Sequence, residues 1–252
     1  MTGRAKRLPL IGLEREQRTL HNAVLKRESL LLLGPAGSGK SALLESAWQA
    51  EGHSERLIYI PRFKTPHNLF VSLARELILG GHKTFQRLIS GATQSESRIE
   101  EQTSTRLKGL LWQALEEEPR TILLDHLNGP SRSVYRFLQR LSYAPGMAIV
   151  GAARDSLCLG ELRRLFWDPR QTLHLQPLSK EEAIELFEAA ADYFDLAGLD
   201  LDEFREKVLD GAAGIPGQIV EMCRLASDPR YHNGKYIKFS LIRIEAKMAQ
   251  LG

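Results

Sequence analysis

Leu30–Ser46 reads LLLLGPAGSGKSALLES: four consecutive leucines, a loop rich in glycine, then Lys-Ser and a helical run. Four apolar residues without alternation describe a strand covered on both faces, which is the environment of a parallel sheet. The loop that follows, Gly34–Ser41, matches the pattern G-x-x-x-x-G-K-[ST] at every fixed position. Gly34, Gly37 and Gly39 permit backbone shapes and close approaches that a Cβ would block. Main-chain N–H groups of such a loop turn inward, and the helix beginning near Lys40 adds the positive end of its dipole. A strand, an amide-lined turn and a helix N-terminus in that order make an anion cradle. It asks for a phosphate chain, with Lys40 reaching the outer phosphates and the Ser41 hydroxyl reaching Mg²⁺. Gly34, Pro35, Ala36, Gly37, Ser38, Gly39, Lys40, Ser41 and Ala42 are the expected nucleotide-binding residues.

Working outward, further apolar runs at Arg56–Pro61, Thr121–Asp125, Met147–Ala153 and Thr172–Leu178 read as buried strands. Helical patterns at Ser41–Ala50, Pro66–Leu79, Ile99–Glu118 and Ser131–Leu141 lie between them. This alternation predicts an α/β fold in which helices sandwich a parallel sheet. After Leu178 the strand signal fades. Ser179 with Glu182 three residues on forms a capping-box pattern, and shorter helices are expected over Asp202–Leu209 and Gly217–Ala226. Residues 1–178 are therefore read as a nucleotide-binding α/β domain and 179–252 as a small helical lid with a C-terminal segment. That segment carries an Asn-Gly turn signal and then an amphipathic helix. Ser90–Ser104 is the most polar stretch and reads as a mobile loop.

Composition sets the outer limits. The 252 residues carry a formal net charge of +3, with 43% hydrophobic and 26% charged residues, an ordinary globular balance. No apolar run is long enough to cross a membrane, and the basic N-terminus lacks the apolar core of a secretory signal. Cys158 and Cys223, in apolar contexts without ligand spacing, read as reduced core residues, which suits the cytoplasm.

A phosphate loop needs a second carboxylate for its cation, at the tip of a neighbouring strand. TILLDHLNGP places Asp125 there, directly after Ile122–Leu124. The competing reading is a strand-ending Asp that caps the next turn. Ser41 and Asp125 are thus the expected metal residues, and ATP and Mg²⁺ the expected cofactors.

With these motifs in place the chain resembles the AAA+ superfamily and its STAND relatives, in particular the bacterial and archaeal group of secretion, target-selection and replication-initiator ATPases. The resemblance covers about Leu10 to Ala226. LIGLEREQRTLHNAV is similar to the box ahead of the phosphate loop, with Gly12, Glu14 and Arg15 in a looser version that the family places near the adenine. AIVGAARD occupies the sensor strand, and the resemblance gives Arg154 a role in reading the γ-phosphate. GIPGQIVEMC is similar to the Gly-x-Pro element of the lid, which puts Pro216 against the base. Where many members then carry an arginine, this chain has Gly217 and Gln218. Hydrolytic members follow the metal-binding Asp with a second carboxylate; here the residue is His126, a neutral imidazole able to take a proton near pH 7 but lacking fixed charge. The resemblance therefore implies Lys40, Asp125, His126 and Arg154 as catalytic residues with slow or partner-stimulated hydrolysis. It also implies Arg163, Arg164 or Arg170 as a finger reaching a neighbouring subunit, hence a ring or filament of copies on ATP binding.

Two further functional readings stay open: a nucleotide-dependent binding module without turnover, and a small-molecule kinase, against which the Gly-x-Pro lid argues. The segment after the lid is expected to leave output to a protein partner in trans. DNA is a possible partner through Arg230, Lys235, Lys238, Arg243 and Lys247 in the tail and Arg4, Lys6 and Arg7 at the start; ordinary solvated charge is the alternative.

Overall fold

The computed structural model describes residues 8–50, 56–90 and 99–249. Arg4, Lys6 and Arg7, and positions 91–98 of the polar loop, lie outside the described residues. The chain divides into two compact units, the larger comprising Glu16–Gly34 and Lys40–His174 and the smaller formed by the described residues through Arg15, Pro35–Gly39 and the chain from Leu175 onward.

In the larger unit, the strands β1 (Leu30–Leu33), β2 (Leu57–Ile60), β3 (Thr121–Leu127), β4 (Ala148–Ala153) and β5 (Thr172–His174) form one sheet in the order β2-β3-β4-β1-β5. All the pairings are parallel. Every residue of β1, β2 and β4 is buried, as their unbroken apolar character requires. Burying one such side chain contributes about 1.5–3 kcal/mol. At the edge, β5 loses that character and its residues are half-buried or exposed.

The covering helices are α1 (Glu14–Lys26), α2 (Lys40–Ala50), α3 (Pro66–Leu79), α4 (Lys83–Ser90), α5 (Ser104–Glu117) and α6 (Arg132–Ser142). Local chemistry fixes several starts. Thr65, Thr103 and Ser131 each accept the N–H three residues on, as N-cap side chains do. The cap at Thr103 explains why the helix expected from Ile99 begins only at Ser104. The core runs from Leu31 and Ile58 through Phe70, Leu111, Leu124 and Phe137 to Phe166, where Phe137 meets Phe70 edge-on and stacks on Trp112.

The smaller unit contains α7 (Lys180–Tyr193), α8 (Asp202–Ala212), α9 (Pro216–Ala226), a hairpin of β6 (His232–Asn233) and β7 (Tyr236–Ile237), and α10 (Phe239–Ala249). The capping box forms as read: Ser179 accepts from Glu182 N–H, and Glu182 accepts from Ser179 N–H. The Asn-Gly signal also holds, with Gly234 at φ 61° between the paired ends. Ile11, Leu178, Phe187, Phe204, Ile219, Cys223 and Ile242 share one core, so the closing helix belongs to the same packed body. Of the two cysteines, Cys223 is a core residue, whereas Cys158 is only half-buried. It lies in the 3-10 segment Leu157–Phe166, where its N–H bonds to the Asp155 carboxylate. No helix among the described residues is long and apolar enough to cross a membrane.

Candidate functional site

The phosphate-loop motif follows β1 directly. Gly37 and Gly39 take φ values of 79° and 96°, which L side chains rarely adopt. A Cβ on Gly39 would lie 2.6 Å from Leu13 Cδ1, and one on Gly37 would lie 3.1 Å from Ile215 Cγ2. The turn is therefore closed to larger residues by both conformation and packing. Gly12, at φ 72°, is similarly confined: a Cβ there would lie 2.5 Å from Leu178 Cδ2 and 3.0 Å from Glu182. Pro216 is buried at the first turn of α9. Gly217 abuts the loop itself, its would-be Cβ 2.8 Å from Gly37 Cα, so a side chain at position 217, one of the two positions where this chain lacks the arginine, would collide with the loop backbone.

In the larger unit, Lys40 opens α2 and its ammonium donates to the Gly34 carbonyl at 2.7 Å. Burial holds the Lys40 ammonium below the ordinary lysine value; the Asp125 carboxylate opposes that shift and the Arg154 charge adds to it. Lys40, Asp125 and Arg154 therefore share one electrostatic neighbourhood.

Strand order corrects one expectation. β4 separates β3 from β1, so Asp125 is not on the strand next to the one that feeds the loop. Arg154 follows the intervening strand and is exposed. Asp125 itself is 1% exposed. Its Oδ1 accepts the His126 N–H at 2.7 Å and its Oδ2 accepts the Tyr59 hydroxyl at 3.4 Å. Tyr59, in β2, was not singled out from sequence; its signal was a hydroxyl-bearing ring inside an otherwise aliphatic four-residue strand. Burial raises its phenol above the ordinary value, and the charges of Asp125 and Glu45 raise it further. The hydroxyl thus stays a donor. Its ring packs beside Trp48, with centroids 5.7 Å apart.

The end of β3 is irregular. Leu124 pairs with Gly151 and Leu127 with Ala153, so Asp125 and His126 together face one residue of β4. This is a β-bulge, rare in parallel pairs, and it re-aims side chains. His126 takes φ 51°, a left-handed shape that costs a non-glycine residue about 1–3 kcal/mol. As a result Asp125 stays inside while the His126 ring emerges. Its Nε2 stands 3.4 Å from Ser41 Oγ and 3.6 Å from Asp125 Oδ2. Ser41 and Asp125, 84 positions apart in sequence, are thereby brought around a single imidazole nitrogen.

Arg163, Arg164 and Arg170 are exposed in the 3-10 segments Leu157–Phe166 and Pro169–Gln171. Arg170 is bound to its own neighbour, its Nη2 donating to Asp168 Oδ2 at 2.7 Å. Of the tail cations, Arg230 is likewise tied to Asp228 at 2.8 Å, whereas Lys235, Lys238, Arg243 and Lys247 are exposed.

No protein-family model matches the chain, and no curated protein matches it in sequence. Solved structures do match. A Walker-type ATPase of Pyrococcus abyssi is 19% identical with a TM-score of 0.62, over 98% of this chain and 74% of that one. Cdc6p of Pyrobaculum aerophilum is 15% identical with a TM-score of 0.64, over 94% and 66%. RuvB of Thermotoga maritima, a Holliday junction branch migration motor, is 15% identical with a TM-score of 0.53, over 97% and 72%. The chain thus spans two thirds to three quarters of the length of these proteins. With the strand order, the phosphate loop and these likenesses together, the chain has the fold of the AAA+ P-loop ATPases.

Proposed function

We propose that the chain binds ATP through Gly34–Ser41 and works as a nucleotide-controlled assembly switch or motor subunit whose hydrolysis is slow, or is stimulated by a partner or by DNA. One observation carries this reading: the bulge at Asp125–His126 gathers Ser41 and Asp125 about the His126 ring nitrogen, in the unit where Lys40 feels the charges of Asp125 and Arg154. A hydroxyl and a buried carboxylate are hard oxygen donors of the kind Mg²⁺ takes, so the residues present fit that cation. Bound there, it would neutralise phosphate charge.

The roles follow from position. Lys40 exchanges the Gly34 carbonyl for the outer phosphates, and Arg154 adds a second positive charge. Tyr59 orients the Asp125 carboxylate. Gly12 and Pro216 border the base. His126 stands where a carboxylate would polarise water, and its lack of fixed charge is the reason for slow turnover. Arg163 and Arg164 are the better candidates for a finger acting in trans, because Arg170 is held by Asp168. The likenesses to Cdc6p and RuvB support assembly of copies, with DNA or a separate protein carrying the output. The cytoplasm is the compartment this reading assigns.

The test is nucleotide titration with wild type and Lys40→Ala, together with light-scattering mass in ADP, in a non-hydrolysable ATP analogue, and in the analogue plus duplex DNA. Loss of binding in the variant and growth in mass with the analogue are expected. Equal affinity in both proteins would overturn the reading. A second reading, a binding module without turnover, is favoured by His126 alone. Binding without phosphate release in any condition would select it.

A further inference from the structure

We propose that His126 is itself a ligand of the nucleotide's cation, adding an imidazole nitrogen to the oxygens of Ser41 and Asp125 and moving the site's preference from Mg²⁺ toward Mn²⁺ and later first-row metals. The inference rests on the nucleotide-binding reading above and deepens it.

The geometry supplies the reason. His126 Nε2 is 3.4 Å from Ser41 Oγ and 3.6 Å from Asp125 Oδ2. Adjacent ligands of an octahedral cation with bonds of about 2.1 Å lie roughly 3 Å apart. The imidazole nitrogen therefore stands within about half an ångström of ligand spacing from each of the two oxygens. The ring is not there by default. A left-handed φ at a bulged, non-glycine position brings it out of the strand, and nothing in the apolar core requires that excursion, since the side chain is 61% exposed. Oxygen-only sets suit Mg²⁺, whereas imidazole favours transition metals, with affinity rising from Mn²⁺ onward. A ligated nitrogen has no lone pair left for a proton from water, which gives slow turnover a second cause.

The experiment uses the full chain labelled with ¹⁵N-histidine, Mn²⁺ and a non-hydrolysable ATP analogue. Fluorescent-nucleotide titration first establishes binding; pulsed electron paramagnetic resonance then reads nitrogen coupling at the manganese. We expect a histidine ¹⁵N coupling in wild type that is absent from His126→Asn, a residue that also tolerates the left-handed backbone. The ratio of Mn²⁺ to Mg²⁺ affinity should fall about tenfold in the variant. Nucleotide and manganese bound together without histidine coupling, or a coupling that persists in His126→Asn, would overturn the assignment while leaving the nucleotide reading intact. No nucleotide binding at the first step would overturn both.

Discussion

The main-chain N–H of Gly217 donates to the carbonyl oxygen of Gly37 at 2.8 Å, so the first turn of α9 rests on the phosphate loop backbone against backbone. A Cβ at position 217 would lie 2.8 Å from Gly37 Cα and 2.9 Å from its oxygen. Neither neighbour is a side-chain tip that can swing away. Gly217→Ala must therefore either open this contact or push the loop out of shape, at a cost of about 1–3 kcal/mol. The expected result is a melting temperature lower by a few degrees and nucleotide affinity weakened about tenfold in titration. Unchanged values in both would show that the contact is incidental.

Gly109 supplies the contrast. It lies inside α5, and a Cβ built there meets nothing within 4 Å. Gly109→Ala should stabilise the fold by about 0.5–1 kcal/mol through helix propensity. Calorimetry checks it, and nucleotide binding should stay as in wild type. A lower melting temperature would contradict the open space around the residue.

How legible the molecule was depends on whether a feature is local. The phosphate loop, the Ser179–Glu182 capping box and the Asn233-Gly234 hairpin are written in contiguous residues whose chemistry admits few alternatives. β1, β2 and β4 were legible for the same reason, since a run of buried aliphatic residues has one natural environment. The order of strands is not local: nothing near Asp125 says that β4 will pair between β3 and β1. The bulge was hidden too, because His126 carries no glycine or asparagine to advertise a positive φ. The carboxylate's partner Tyr59 is 66 residues away in sequence, and only the register of β2 on β3 brings it there. Gly217 was visible as a missing arginine, but the reason, a backbone-to-backbone contact, required the fold.

His82 gives a pH-dependent prediction away from the loop. It is fully buried, with Nδ1 accepting the Phe85 N–H at 3.1 Å and Nε2 within 2.9 Å of the Glu118 carbonyl. The neutral ring satisfies both contacts. Glu118 and Arg120 are the charged groups beside it; burial dominates, and its pKa falls below the ordinary 6.5. A lowered value means that the unfolded chain binds the proton more readily. Stability is then present above about pH 6.5 and lost as pH falls toward the native value, by up to about 1.4 kcal/mol per pH unit. Between pH 7.5 and 5.5 the wild type should lose more stability than His82→Gln in denaturant titrations. Parallel losses would remove His82 as the cause.

Tyr59 predicts the opposite end of the scale. Its phenol is held above the ordinary value of 10.0, so the fold favours the protonated form. That contribution is complete below about pH 10 and is lost as pH rises further. Tyr59→Phe removes the donor to Asp125 and should cost about 1 kcal/mol at neutral pH. The gap between variant and wild type should close above pH 10. A constant gap up to pH 11.5 would mean that the hydroxyl does not titrate with unfolding.

His126 decides whether the bulge stores strain. At φ 51° a β-branched residue is a worse fit than histidine, and glycine is free of the conflict. His126→Val should therefore lower stability by about 1–3 kcal/mol, while His126→Gly should hold or raise it despite the added freedom of the unfolded chain. Both variants remove the imidazole that lies 3.4 Å from Ser41 Oγ, so both should lose the selectivity for Mn²⁺ that the ring confers. Opposite effects on stability with the same effect on metal preference would separate the backbone's role from the ring's. If valine and glycine melted together, the left-handed turn would relax freely in solution, and the ring's approach to Ser41 would owe nothing to it.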